Sequence, residues 1–197
     1  MTDILSDTAL DQLFREARSF NGWHDKPVSD EQIHAIYELL KMGPTSANQQ
    51  PGRFIWCKSQ ESRDRLASHA SEGNQEKIKT APVCVIIGYD IDFHENLPWL
   101  FPHADAKSWF EGDEDARKES AFRNSVLQGA YLMLAARAVG LDCGPMSGFD
   151  QDAVTKDFFA DQPKYRADWL CSIGHGDRST IFDRSPRPDF DKFNTLL

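Results

Sequence analysis

Four short stretches of this 197-residue chain gather small hydroxyl and amide side chains beside arginines. Arg18-Ser19 closes a helical pattern, Thr45-Ser46-Ala47-Asn48 follows a Gly-Pro stop, and Asn74 sits in Glu72-Gly73-Asn74-Gln75. Pro145-Met146-Ser147-Gly148 follows the longest helical pattern, and Arg184 and Arg187 lie in the carboxyl tail. Singly, each stretch reads as a cap or turn, because Ser, Thr and Asn side chains satisfy nearby backbone groups. Together they offer donors to a phosphate and to the polar edge of a ring. Arginine suits phosphate because its planar fork makes two directed, charge-assisted bonds.

Other chemistries find weaker support. Gly174-His175-Gly176-Asp177-Arg178-Ser179 opens like a dinucleotide fingerprint but has Ser179 at the third glycine, and no apolar helix follows. His94-Glu95 opens like a zinc-protease motif, yet Pro98 stands at the second histidine. Pro145 occupies the place where a nucleophile elbow around Ser147 needs glycine. Cys57, Cys84, Cys143 and Cys171 are scattered through apolar runs, the pattern of small buried hydrophobes rather than of a metal site.

Acidic residues number 31 against 22 basic, giving a net charge of −9, which argues against a nucleic-acid binder. No run approaches the roughly 20 apolar residues of a membrane span, and Met1-Thr2-Asp3-Ile4 lacks the basic start of a secretory signal. The reading is a cytoplasmic, single-domain chain over residues 1–197.

The elements that must position these stretches follow from periodicity. Leu10, Leu13, Phe14 and Ala17 mark a first helix over Asp7 to Arg18. Ser29 and Gln32 form a capping box before a second, with Ile33, Ile36, Tyr37 and Leu40 on its apolar side. Strands are expected at Arg53 to Cys57, Pro82 to Tyr89 and Trp169 to Gly174, and helices at Glu61 to His69 and from Asp150 to Phe159. Residues 90–120 hold nine acids against three bases together with Phe93, Trp99, Phe101, Trp109 and Phe110, and read as an insertion or lid. The helix from about Ala116 to Gly140 is nearly apolar all round between Val126 and Val139, so it belongs at a domain centre or a subunit interface. Strands and helices alternate, giving an α+β fold of helices on one sheet.

Arg18-Ser19, Asp25-Lys26-Pro27-Val28, Gly43 to Pro51, Arg53-Phe54, Gly140-Leu141 and Gly144 to Asp150 resemble, in order and spacing, the flavin-dependent nitroreductase family. Leu100 to Phe110, Phe122-Arg123-Asn124 and Gly144 to Asp150 further resemble its malonic semialdehyde reductase subfamily of pyrimidine degradation. The resemblance covers nearly the whole chain. It implies a central, mostly antiparallel sheet flanked by helices in an intertwined homodimer, with two FMN sites built at the subunit interface from both chains. By matching motif, Arg18 and Ser19 would contact the FMN phosphate and ribityl chain, and Arg184 and Arg187 would complete the phosphate clamp. Thr45, Ser46 and Asn48 would reach the flavin from the partner subunit. Asn74 would bond the isoalloxazine edge, with Pro145, Met146, Ser147 and Gly148 along the ring. Two places depart from the family. Ala17 and Asn21 stand where many members are basic, and Ser147 where an acid is often found.

The implied reaction is ping-pong hydride transfer from NADH or NADPH through FMN to a second small molecule, malonic semialdehyde yielding 3-hydroxypropanoate. The cofactor carries the difficult chemistry, so no protein nucleophile, acid–base pair or metal is required. An acidic substrate needs a cation, for which His103, Lys107 and Arg123 are the candidates, each also readable as a surface charge. Two alternatives stand beside this one: a broad nitro- or quinone reductase, and a flavin-binding protein without turnover.

Overall fold

The computed structural model describes residues 3–197. Ser6 caps a short helix α1 (Asp7–Leu10), which continues as a π-helical turn over Asp11–Arg15. The chain then runs through α2 (Asp30–Leu40), β1 (Gly52–Cys57), α3 (Gln60–Ala67), α4 (Glu72–Lys79), β2 (Val83–Asp90), α5 (Leu97–Leu100), α6 (Glu114–Ala138), β3 (Asp142–Met146), α7 (Gln151–Phe158), β4 (Tyr165–Gly174) and α8 (Phe190–Phe193). The capping box at Ser29 is formed in both directions, Ser29 Oγ accepting from Gln32 N and Gln32 Oε1 from Ser29 N.

The four strands form one sheet in the order β1-β2-β4-β3, every neighbouring pair antiparallel. β2 explains its own unbroken apolar run. Side chains alternate across a strand, and Val83, Val85 and Ile87 enter a core under α2 and α6, while Cys84 and Ile86 enter the opposite core under α3, α4 and α7. With both faces covered, Val83 to Ile87 cannot be polar at low cost, and the buried Asp90 at the strand's end is paired with Arg53 at 2.7 Å. Fully burying each Leu or Ile here contributes on the order of 2 kcal/mol.

Three expectations shift. The stretch read as a Gly-Pro turn begins as a strand: Pro145 and Met146 end β3, which pairs with β4 through Pro145↔Cys171 and Met146↔Leu170. β3 lies at the sheet edge, where proline's missing N–H leaves no central ladder bond unmade. Asn74, read in a turn, belongs to α4, whose single buried side chain is Ile78. β4 starts at Tyr165 rather than Trp169, with a bulge opposite Ile87 and Gly88.

Residues 91–113 build a lobe with a core of its own, in which Phe93 and Leu97 are fully buried against Tyr89, Ile91, Ala106 and Ala121. α6 buries Ala121, Leu132, Ala135 and Ala136 but leaves Phe122, Val126, Leu127 and Tyr131 substantially exposed within one chain. Among the described residues no helix is long and apolar enough to cross a membrane.

Candidate functional site

Arg18, Ser19, Arg184 and Arg187 line one cleft of about 570 Å³, joined by Asn21 and Arg137. The carboxyl tail is tied there through side-chain bonds to backbone carbonyls. Arg18 Nη2 donates to Phe182 O, Arg184 Nη2 to Arg15 O (2.6 Å) and Ala17 O (3.0 Å), and Asn21 Nδ2 to Thr180 O (3.3 Å). Arg187 bonds only the carbonyls of its neighbours Ser185 and Pro186. Asp183 also lines the cleft, yet among the described residues none of the four guanidiniums forms an ion pair. Four such cations in a chain of net charge −9 make a local anion site, whose pull on a phosphate is strengthened by Arg geometry.

Arg137 escaped the sequence reading. It occupies the last turn of α6, where a basic side chain complements the helix dipole, so its type alone announced no ligand. Its Nη1 donates to Leu13 O at 3.0 Å, pulling the first helical segment against the cleft.

Ser19 bridges Cys143 in parallel, and Phe20 N donates to Cys143 O at 3.0 Å, so the Arg18–Phe20 arm lies beside β3. A side chain at Gly144 would put its Cβ 2.5 Å from Phe20 O, so only glycine permits this approach. β3 leads to Ser147 and Gly148, and there Asn74 joins. Gly148 O accepts from Ser71 N (2.9 Å), Ser71 Oγ (2.9 Å) and Asn74 Nδ2 (3.1 Å). A Cβ at Gly148 would meet Asn74 Nδ2 at 2.7 Å and Ser71 Oγ at 2.8 Å. Asn74 Oδ1 keeps no partner among the described residues, leaving an acceptor that suits the N–H of a polar ring edge.

Thr45, Ser46 and Asn48 lie at the other edge of the sheet, ahead of β1. Ala47, Asn48 and Gln50 hold φ values of 49°, 49° and 42°, left-handed conformations that non-glycine residues adopt at a cost of roughly 1–3 kcal/mol each. Buried amides of α6 hold this strained turn: Asn124 Oδ1 accepts from Ser46 N (2.9 Å), and Gln128 bonds both Gly52 N and Gln50 Oε1 at 2.7 Å. Asn48 Nδ2 donates to Leu100 O at 2.8 Å, coupling the turn to the 91–113 lobe. Asn124 and Gln128 are positioning residues that a polar break in an otherwise apolar helix could have flagged.

His103, Lys107 and Arg123 are not brought into the arginine cleft. Lys107 Nζ pairs with Glu95 Oε2 at 2.7 Å, Arg123 pairs with Glu119, and the exposed His103 meets Phe101 edge to face.

An antiparallel four-stranded sheet between helices, with an arginine cleft beside one edge and the Asn74–Gly148 contact beyond the end of β3, defines an α+β protein. The nitroreductase family model matches residues 15–176, and the chain belongs to the nitroreductase family. A Burkholderia lata protein, provisionally named an NADH dehydrogenase/NAD(P)H nitroreductase, is 57% identical over 95% of each chain. One of Polynucleobacter asymbioticus with the same provisional name is 53% identical over the full length of both. A nitroreductase-type protein of Exiguobacterium sibiricum, crystallised in complex with FMN, superposes with a TM-score of 0.85 at 23% identity over the whole of both chains.

Proposed function

We propose that this chain is an FMN-dependent NAD(P)H oxidoreductase whose second substrate is malonic semialdehyde, reduced to 3-hydroxypropanoate. The observation that carries the oxidoreductase reading is the cleft of Arg18, Arg137, Arg184 and Arg187, from which the Arg18–Phe20 arm runs beside β3. That donor set fits FMN: guanidiniums for the phosphate, Ser19 for the ribityl chain, and Asn74 with Pro145 to Gly148 along the ring. The FMN complex of the Exiguobacterium protein and the NAD(P)H names of the relatives support it. Bound FMN would supply the hydride acceptance and donation that no side chain here provides.

This chain's residues do the rest. The arginines hold the anionic end, and the Asn74–Gly148 contact fixes the corner at β3's end, while the Arg18–Phe20 arm covers β3's outer edge. Thr45, Ser46 and Asn48 lie three strand spacings away, about 14 Å, at the opposite edge. They cannot close on the same ring in one chain, so in our reading a partner subunit brings them, with its 91–113 lobe, over the seam. The apolar exposed face of α6 supplies the surface for that homodimer. For the substrate carboxylate, His103 is the one of the three candidate cations without a carboxylate partner among the described residues; Lys107 and Arg123 would first have to leave Glu95 and Glu119.

The relatives' names favour a second reading, a broad nitro- or quinone reductase. An absorption spectrum of the purified protein, with the released chromophore identified, tests the flavin. Comparing kcat/KM for malonic semialdehyde with that for a nitroarene and a quinone tests the substrate. Equal or poorer use of the semialdehyde removes the finer assignment and leaves the oxidoreductase.

A further inference from the structure

A second cationic cleft lies between the Trp23–Val28 arm and the chain segments that leave β1 and enter β2. It encloses about 580 Å³ and shares no lining residue with the arginine cleft described above. Its charged walls are Lys26, Lys58, Arg63 and Lys79, with Asp25 as the acid among them. Arg63 is fixed in place by neutral acceptors: its guanidinium donates to the carbonyls of Lys58, Pro82 (3.1 Å) and Lys79 (3.4 Å) and to Gln60 Oε1 (2.7 Å). Lys58 pairs with Asp30 at 2.5 Å. Among the described residues, the ammonium groups of Lys26 and Lys79 have no partner, and Arg63 has no carboxylate.

Behind the wall, Trp23 Nε1 is buried without a partner, and His175, next to the Trp23–Gly176 bridge, buries an unpartnered Nε2. Buried polar atoms without partners are few in folded proteins, and each calls for an explanation. Like charges gathered in an acidic chain likewise raise free energy until an anion joins them. Lys26, Arg63 and Lys79 come from three separate segments and, with Asp25 beside them, leave an excess of two positive charges spread across the cleft, which linked phosphates can span better than one phosphate does.

We propose that this cleft binds a ligand carrying two or more linked phosphate groups, held by Lys26, Arg63 and Lys79. Pro27, Pro82 and the Trp23 ring form an apolar wall against which the organic part of a nucleoside diphosphate would rest. Calorimetric titration of the FMN-saturated protein with inorganic pyrophosphate, and separately with ADP, tests this. Binding in the millimolar range or tighter is expected, weakened by added salt. Replacing both Lys26 and Lys79 with Gln should weaken it about tenfold or more, Lys26→Arg with Lys79→Arg should restore it, and Arg184→Ala with Arg187→Ala should leave it in place. Equal affinity for the two probes means the phosphates alone are read; tighter ADP binding adds the apolar wall. No binding of either probe, undiminished binding by the Gln variant, or loss through the Arg184 and Arg187 changes instead would overturn the proposal.

Discussion

Single side chains decide two properties of this protein. Arg184 and Arg187 reach the cleft from the tail, beyond the span matched by the family model, and neither has a carboxylate to satisfy it. Replacing both with Ala is expected to weaken FMN retention by about a hundredfold or more, since each charge-assisted bond is worth roughly 1.5–3 kcal/mol. Equilibrium dialysis of the flavin measures it, and unchanged affinity would show the phosphate is held elsewhere. The second property is pH dependence. Asp168 sits at the β4 bulge, 8% exposed, its Oδ2 unpartnered, and burial pushes its carboxyl from 3.8 up to about 6. The folded state therefore holds a proton that the unfolded chain releases between those values. Stability from this group is intact below about pH 4, falls as pH rises towards about 6, and stays lower by roughly 3 kcal/mol above it. Asp168→Asn should flatten that decline and raise the melting temperature at pH 8. Thermal melts at pH 4.5, 6 and 8 check this, and a variant with the wild-type slope would sink it.

At the level of elements, α6 is the scaffold on which both edges of the sheet depend. Its Gly129 lies under the Trp169 indole, where an added Cβ would stand 2.2 Å from the ring. Alanine gains about 1 kcal/mol of helix propensity, but overpacking in a filled core costs about 1–3 kcal/mol. Gly129→Ala is thus expected to lower stability by about 1 kcal/mol, read by urea unfolding; a stabilised variant would mean that Trp169 moves freely. The same helix shows what the sequence could and could not reveal. Its length, its Gly140 stop and the nearly apolar stretch between Val126 and Val139 were legible because runs of apolar residues report burial directly. The roles of Asn124 and Gln128 were not, because their partners lie about 78 residues away in a strained turn. β3 was hidden for a local reason: Gly144 and Pro145 are poor strand formers, and only an edge position makes them tolerable. α4 was hidden because Glu72–Lys79 buries one side chain, too little for a period to emerge. Charge and hydrogen-bonding type carried the arginine cleft across those errors, since Arg18, Ser19, Arg184 and Arg187 needed correct chemistry more than correct secondary structure.

For the whole molecule, the question is how residues at opposite sheet edges serve one ligand. Order β1-β2-β4-β3 puts the Thr45–Asn48 turn beside the first strand and the arginine cleft beside the last. Phe122, Val126, Leu127 and Tyr131 on α6, and Phe182, Phe190, Phe193 and Leu196 in the tail, stay exposed on a lone chain. In the homodimer we propose, a second copy would cover them. Such a two-fold pair would make two seams, each joining one subunit's cleft to the other's turn. This arrangement can be tested by subunit mixing. One variant carries Arg184→Ala with Arg187→Ala; the other carries Thr45→Ala with Asn48→Ala. Each alone should hold flavin poorly. After joint unfolding and refolding, a mixed dimer has one seam with both defects and one with neither, so random pairing should restore about a quarter of all sites. Flavin fluorescence quenching and NADH oxidation, measured on the mixture against each variant alone, read out that fraction. If each site is instead built within one chain, no mixture can contain an intact one, and no recovery will follow at any ratio of the two variants.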